Sequence, residues 1–147
     1  MQRIIQRENL LDNVSRMGDV LGRLLREELG PLEFVGDIRG RGLFWAVEFM
    51  LDPEGQVPFS PRAKFSDQIV DQALDLGLNI LGNLGTTGAI HSEHIIISPP
   101  YIVREEELRR MVAIAKAAIQ DVSKRFHQAK TALPKASGPG FGQPARL

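Results

Sequence analysis

The sequence predicts an α+β fold, an α/β sandwich in which helices pack on a small, mostly antiparallel sheet and a long N-terminal helix comes first. Three observations predict it. Apolar residues recur at spacings of three, four and seven over residues 2–29 and again over 104–128, which is the period of one helix face. Between these stretches lie short alternating runs, clearest at Leu43, Trp45, Val47 and Phe49, the period of a strand with one buried face. Glycine and proline punctuate the boundaries at Gly30-Pro31, Asp52-Pro53-Glu54-Gly55, Gly77 and Pro99-Pro100.

In the first helix Ile4, Leu11, Val14, Met17, Leu21, Leu24 and Leu25 form the apolar stripe, and Gly30-Pro31 ends it. Two strands follow within 34–49, divided by the glycines at 40 and 42. Ser60-Pro61 reads as an N-cap with proline in the first helical position, opening a helix to about Leu76 with Phe65, Ile69, Val70 and Ala73 inward. Leu78 to Leu81 is expected to be a strand. Gly82 to Gly88 reads as a flexible connection, and His94 to Ser98 as another strand. In the last helix Leu108, Met111, Ala115, Ile119, Val122 and Phe126 line the stripe. Glu105, Glu106 and Glu107 suit the positive end of its dipole. The domain reading is a linking helix at 1–31, one small domain at 32–128, and a glycine- and proline-rich disordered tail at 129–147. The chain opens within a helix, so a preceding segment is expected to be missing.

Composition narrows the function classes. Lys+Arg and Asp+Glu number 18 each among 147 residues, and this zero net charge argues against a nucleic-acid or anionic-membrane partner. The absence of cysteine removes disulfides, thiolate catalysis and Cys-based zinc sites. No apolar run reaches the roughly 20 residues that span a bilayer. With no secretory signal either, cytoplasm and mitochondrion are the compartments left open.

Individual motifs carry little chemistry by themselves. Arg39-Gly40-Arg41-Gly42 reads as a tight turn flanked by surface arginines, since strands bracket it and no third glycine or helix follows. His91 and His94 flank Glu93, but without a further His or Cys cluster they read as exposed loop histidines, and no metal is expected. Ser92 has no nucleophile-elbow context. Gly82-Asn83-Leu84-Gly85-Thr86-Thr87-Gly88 lacks the lysine and helix of a phosphate-binding loop. The residues alone therefore describe a domain without a self-sufficient active site.

A resemblance adds to this. The run from Val35 to Glu48, with Asp37, Arg39, Gly40 and Gly42, resembles the signature that opens the small domain of class III pyridoxal-phosphate-dependent aminotransferases. Ile95-Ile96-Ile97-Ser98-Pro99-Pro100 followed by an acidic helix start is similar to the segment that ends that domain. The resemblance covers about residues 2–127, so the chain is identified as the C-terminal part of such an enzyme, of fold type I. It implies amino-group transfer from an amine or amino acid to a keto acid or aldehyde, and a homodimeric parent. The pyridoxal phosphate lysine and the aspartate on the pyridine nitrogen then lie upstream of the first helix, in a large domain. Lys64, Lys116, Lys124, Lys130 and Lys135 match no cofactor-lysine context. No catalytic or cofactor-binding residue is therefore expected here, no cofactor is expected on this chain alone, and the chain is expected to be inactive alone. Some members place a substrate-carboxylate arginine where this sequence has Ile96. Others place a mobile arginine in the preceding loop, where Thr86, Thr87 and His91 stand. These four are the expected rim of the substrate pocket, and amine or ω-amino acid donors stay open. An alternative is a catalytically dead module that dimerises with or regulates a full-length aminotransferase.

Overall fold

The computed structural model describes residues 5, 7–82, 86–87 and 90–132, with side chains at 86, 87, 90 and 129–132 left aside. Three helices, α1 (Leu10–Glu28), α2 (Phe65–Asp75) and α3 (Glu105–Ala132), pack on one sheet. The strands are β1 (Val35–Arg41), β2 (Phe44–Phe49), β3 (Leu81–Gly82), β4 (Thr86–Thr87), β5 (Ile90–His91) and β6 (Glu93–Ile97). Four of them form a sheet in the order β1-β2-β6-β3, antiparallel throughout, and β4 and β5 pair separately as a short ribbon.

Alternation dictates the layers. Trp45, Val47 and Phe49 on β2 face inward with Ile95 and Ile97 on β6, and all are buried. Arg39, Ala46, Ile96 and Leu81 share the outer face, in successive register across the four strands. The inner face meets Leu21 and Leu25 of α1, Phe65 and Ile69 of α2, and Leu108 and Ile119 of α3 in one core. Its densest part is aromatic: Phe65 stacks on Phe59 with centroids 4.3 Å apart and meets Phe34, Phe49 and Phe126 edge to face. Lys116 Nζ to Glu28 (2.7 Å) links α3 to α1, and Arg125 donating to Gln72 Oε1 (2.9 Å) links α3 to α2.

The β1–β2 hairpin turns at Gly42-Leu43, where Gly42 adopts φ +56°, a left-handed conformation that a side chain would strain. Helix α1 approaches this turn through two glycines one turn apart. A Cβ on Gly18 would lie 2.5 Å from the Gly42 backbone, and one on Gly22 would lie 2.3 Å from the Trp45 ring. The indole Nε1 donates to Gly42 O (2.7 Å), and Arg26 lies 4.8 Å over the ring.

Several boundaries differ from the sequence expectation. The helix expected over 2–29 is interrupted: Ile5 and Arg7 are helical, Asn9 takes a left-handed conformation (φ 49°), and α1 starts after it at Leu10. Leu11 is 65% exposed although it shares the face of Leu25, because it sits in the first turn, before the buried stretch of α1 begins at Met17; Ile4 lies outside the described residues. Ser60 is not an N-cap: Ala63 N–H donates to Ser60 O, closing a separate turn, and α2 starts only after Lys64 at φ 47°. Leu78 and Ile80 are buried but belong to no strand among the described residues, Leu78 N–H donating to Ala73 O at the end of α2, so the expected strand at 78–81 reduces to Leu81–Gly82. The Gly82–Gly88 segment contains β4 rather than being only a connection, with 83–85 and 88 outside the described residues. Residues 129–132 continue α3, and the rest of the expected tail lies outside the described residues. The start of α3 is as expected: Glu107 accepts the Arg104 N–H at 2.8 Å, capping the helix at its acidic turn.

Candidate functional site

The expected rim falls in two places. Thr86 stands opposite His91 and Thr87 opposite Ile90 in the β4–β5 ribbon. Ile96 is on β6, half-buried on the outer face of the main sheet, in register with Ala46 and Leu81. It belongs to an apolar row that ends in Leu81 (64% exposed) and has Phe44 (59% exposed) beside it.

Above that row the outer face is charged. Arg39 donates to Glu48 Oε2 (2.6 Å) and to Asp37 Oδ2 (2.7 Å), and Ser92 Oγ donates to Glu48 Oε1 (3.1 Å). The hydrogen bond to Glu48, then that to Asp37, holds the guanidinium above its ordinary value. Arg39 is largely exposed, so each pair contributes at most about 1 kcal/mol; its effect is to fix orientation. Of the other motif residues, Gly40 packs where a Cβ would meet Phe44 O at 2.4 Å, and Pro99 is buried while Pro100 is exposed. Arg39 and Gly40 are part of β1, so only Gly42 of the Arg39–Gly42 run lies in the turn.

Neither His91 nor His94 is an exposed loop histidine. Both lie on strands and are half-buried. His91 Nε2 is 2.8 Å from Glu93 Oε1. Glu93 itself is buried (3% exposed), and its other oxygen, Oε2, accepts the Ser66 N–H (2.9 Å) and the Ser66 hydroxyl. Ser66 is in the first turn of α2, whose own N-cap residue Lys64 offers no side-chain bond, so Glu93 caps that helix from the sheet. Burial pushes the Glu93 carboxyl up, but the hydrogen bonds from His91 and Ser66 outweigh this and hold it below its ordinary value, ionised at neutral pH. Glu93 is not among the candidate site residues that the sequence predicts. Its signal was register: Glu93 is two residues before Ile95 and four before Ile97, so it shares their inward face.

Pyridoxal phosphate requires a lysine amine, a cradle for its phosphate and a carboxylate at the ring nitrogen around one cavity. The described residues do not fit it. Lys116 is ion-paired with Glu28, Lys124 faces Asp121, and Lys64 is exposed at the head of α2. No group of three or more His, Asp or Glu side chains among the described residues is placed to hold a metal ion. Among the same residues, no helix is long and apolar enough to cross a membrane.

A two-layer α+β unit with a glycine-turned hairpin, a Pro-Pro-terminated strand and an acid-capped final helix defines a domain class, and comparison with known proteins places it. Residues 1–119 match the class-III aminotransferases, and the chain belongs to that family. An aminotransferase from Gibberella zeae is 37% identical over 120 residues, 81% of this chain and 24% of that protein. A new transaminase from the marine bacterium Virgibacillus shares the fold with a TM-score of 0.75 at 31% identity, over 84% of this chain and 27% of that one. The PMP-bound form of an aminotransferase from Vibrio fluvialis does so with a TM-score of 0.73 at 26% identity, over 82% of this chain and 25% of that one. The chain thus spans about a quarter of the length of the relatives it matches.

Proposed function

We propose that this chain is the C-terminal small domain of a pyridoxal-phosphate-dependent transaminase, serving a large domain that supplies the cofactor lysine. The observation that carries this is the family match over residues 1–119 combined with a span of about a quarter of the relatives' length. The PMP-bound relative from Vibrio fluvialis supports the cofactor assignment. The placement of Lys64, Lys116 and Lys124 supports the view that the cofactor is held elsewhere.

In this reading residues 32–128 close the substrate side of the parent's site, and α1 joins them to the large domain. The outer face of the sheet, with Phe44, Leu81 and Ile96, is the surface that the large domain covers, since so continuous an apolar row is costly to leave in water. A homodimer is the expected assembly of the parent. Ile96 presents no charge where some members hold a substrate carboxylate with an arginine, which leaves amine and ω-amino acid donors open; the amino group passes from an amine or amino acid to a keto acid or aldehyde. The purified chain, supplied with pyridoxal phosphate, an amine donor and a keto acid, is expected to show no turnover. Turnover that follows this chain through purification would overturn the assignment.

A further inference from the structure

We propose that Glu93 is a positioning residue that transmits order from the core to the substrate-side rim, holding the β4–β5 ribbon in place through His91. The inference rests on the transaminase reading for what the rim faces, and on the geometry alone for the link itself.

A buried carboxylate is costly unless every lone pair it turns inward finds a donor. Glu93 meets that demand by dividing its oxygens: Oε2 takes both donors of Ser66, and Oε1 takes His91 Nε2. Because the carboxylate is planar, anchoring Oε2 on the first turn of α2 also sets where Oε1 points. The imidazole is then held at its far nitrogen, and the His91 backbone stands opposite Thr86. A helix cap alone needs only one oxygen, and a Ser, Asp or Asn at the position of Lys64 would supply it locally. Here the cap comes from β6, and its second oxygen faces the ribbon. On the outer face Glu48, itself held by Arg39, accepts the Ser92 hydroxyl, and so holds the residue between His91 and Glu93 from the other side.

Amide hydrogen exchange measured by NMR on the full chain tests this. In His91→Ala, those of the Thr86, Thr87, Ile90 and His91 amides that are protected in the parent chain are expected to exchange about tenfold faster, one pair of the two because antiparallel pairs alternate in hydrogen bonding, while the amides from Ile69 to Ala73 in α2 stay unchanged. His91→Gln, whose amide nitrogen has a similar reach to Oε1, is expected to restore protection to within about twofold of the parent. Ser66→Ala removes the hydroxyl donor from Oε2, leaving only the Ser66 N–H to hold it, and is expected to loosen the ribbon and the start of α2 together. Ribbon exchange that is unchanged in His91→Ala, or already unprotected in the parent chain, would overturn the link. These readouts need no cofactor, so their failure leaves the transaminase reading untouched, and turnover by the isolated chain would leave the link untouched.

Discussion

Replacing Phe65 with alanine lowers stability by about 3–5 kcal/mol, the range for emptying a fully buried aromatic site. Phe65 is wholly buried and contacts four other phenylalanine rings from four different parts of the chain: Phe34 before β1, Phe49 on β2, Phe59 before α2 and Phe126 on α3. The cavity cannot be closed by moving one element without pulling it off the others. A domain of this size has a total stability of about 5–15 kcal/mol, so this single change removes a large share of it. Urea unfolding followed by the fluorescence of Trp45, the only tryptophan, reads the loss as a lower midpoint at unchanged slope. Phe44→Ala, on the exposed outer face, is the control and is expected to shift stability by no more than about 0.5 kcal/mol. Equal losses in the two variants would contradict the assignment of inner and outer faces.

Gly18→Ala destabilises by about 1–2 kcal/mol, and here two effects of opposite sign compete. Alanine is favoured over glycine in a helix interior by about 0.5–1 kcal/mol, which by itself makes the variant more stable. Against this, the new Cβ would lie 2.5 Å from the Gly42 backbone, which has no flexible end to swing aside. Overpacking of this kind costs about 1–3 kcal/mol. Gly42 is itself committed to its turn by φ +56° and by accepting the Trp45 indole N–H, so α1 must move instead. A rise in the urea midpoint would show that α1 does not sit against the hairpin tip.

The parts of the fold that could be read from sequence are those where a local pattern and the tertiary environment agree. Leu43, Trp45, Val47 and Phe49 alternate with residues of the outer face, and all four are buried. The stripe of α3 was legible because its apolar face packs against α1 and α2 along its length. The misread positions are those where a distant group replaced the local signal. Ser60-Pro61 has the chemistry of a helix start, yet α2 begins at Phe65 because Glu93, 27 residues beyond Ser66, caps it. Gly18 and Gly22 carry no periodic signal, because a close approach to Gly42 and Trp45 exists only once the hairpin is folded. Glu93 lies between two histidines that read as exposed loop residues, although counting back from Ile95 places it inside. Of the rim residues, the pairing of Thr86 with His91 depends on a ribbon too short to show periodicity.

The central claim is that the cofactor lysine belongs to another part of the parent enzyme. Pyridoxal phosphate added to the purified chain, followed by borohydride reduction and peptide mass analysis, tests it directly, with the longer Gibberella zeae relative as the positive control. The expected result is no absorbance band of a lysine-bound cofactor and no lysine modified in preference to the rest. Stoichiometric reduction onto one lysine of this chain would contradict the account and make the chain a cofactor protein in its own right.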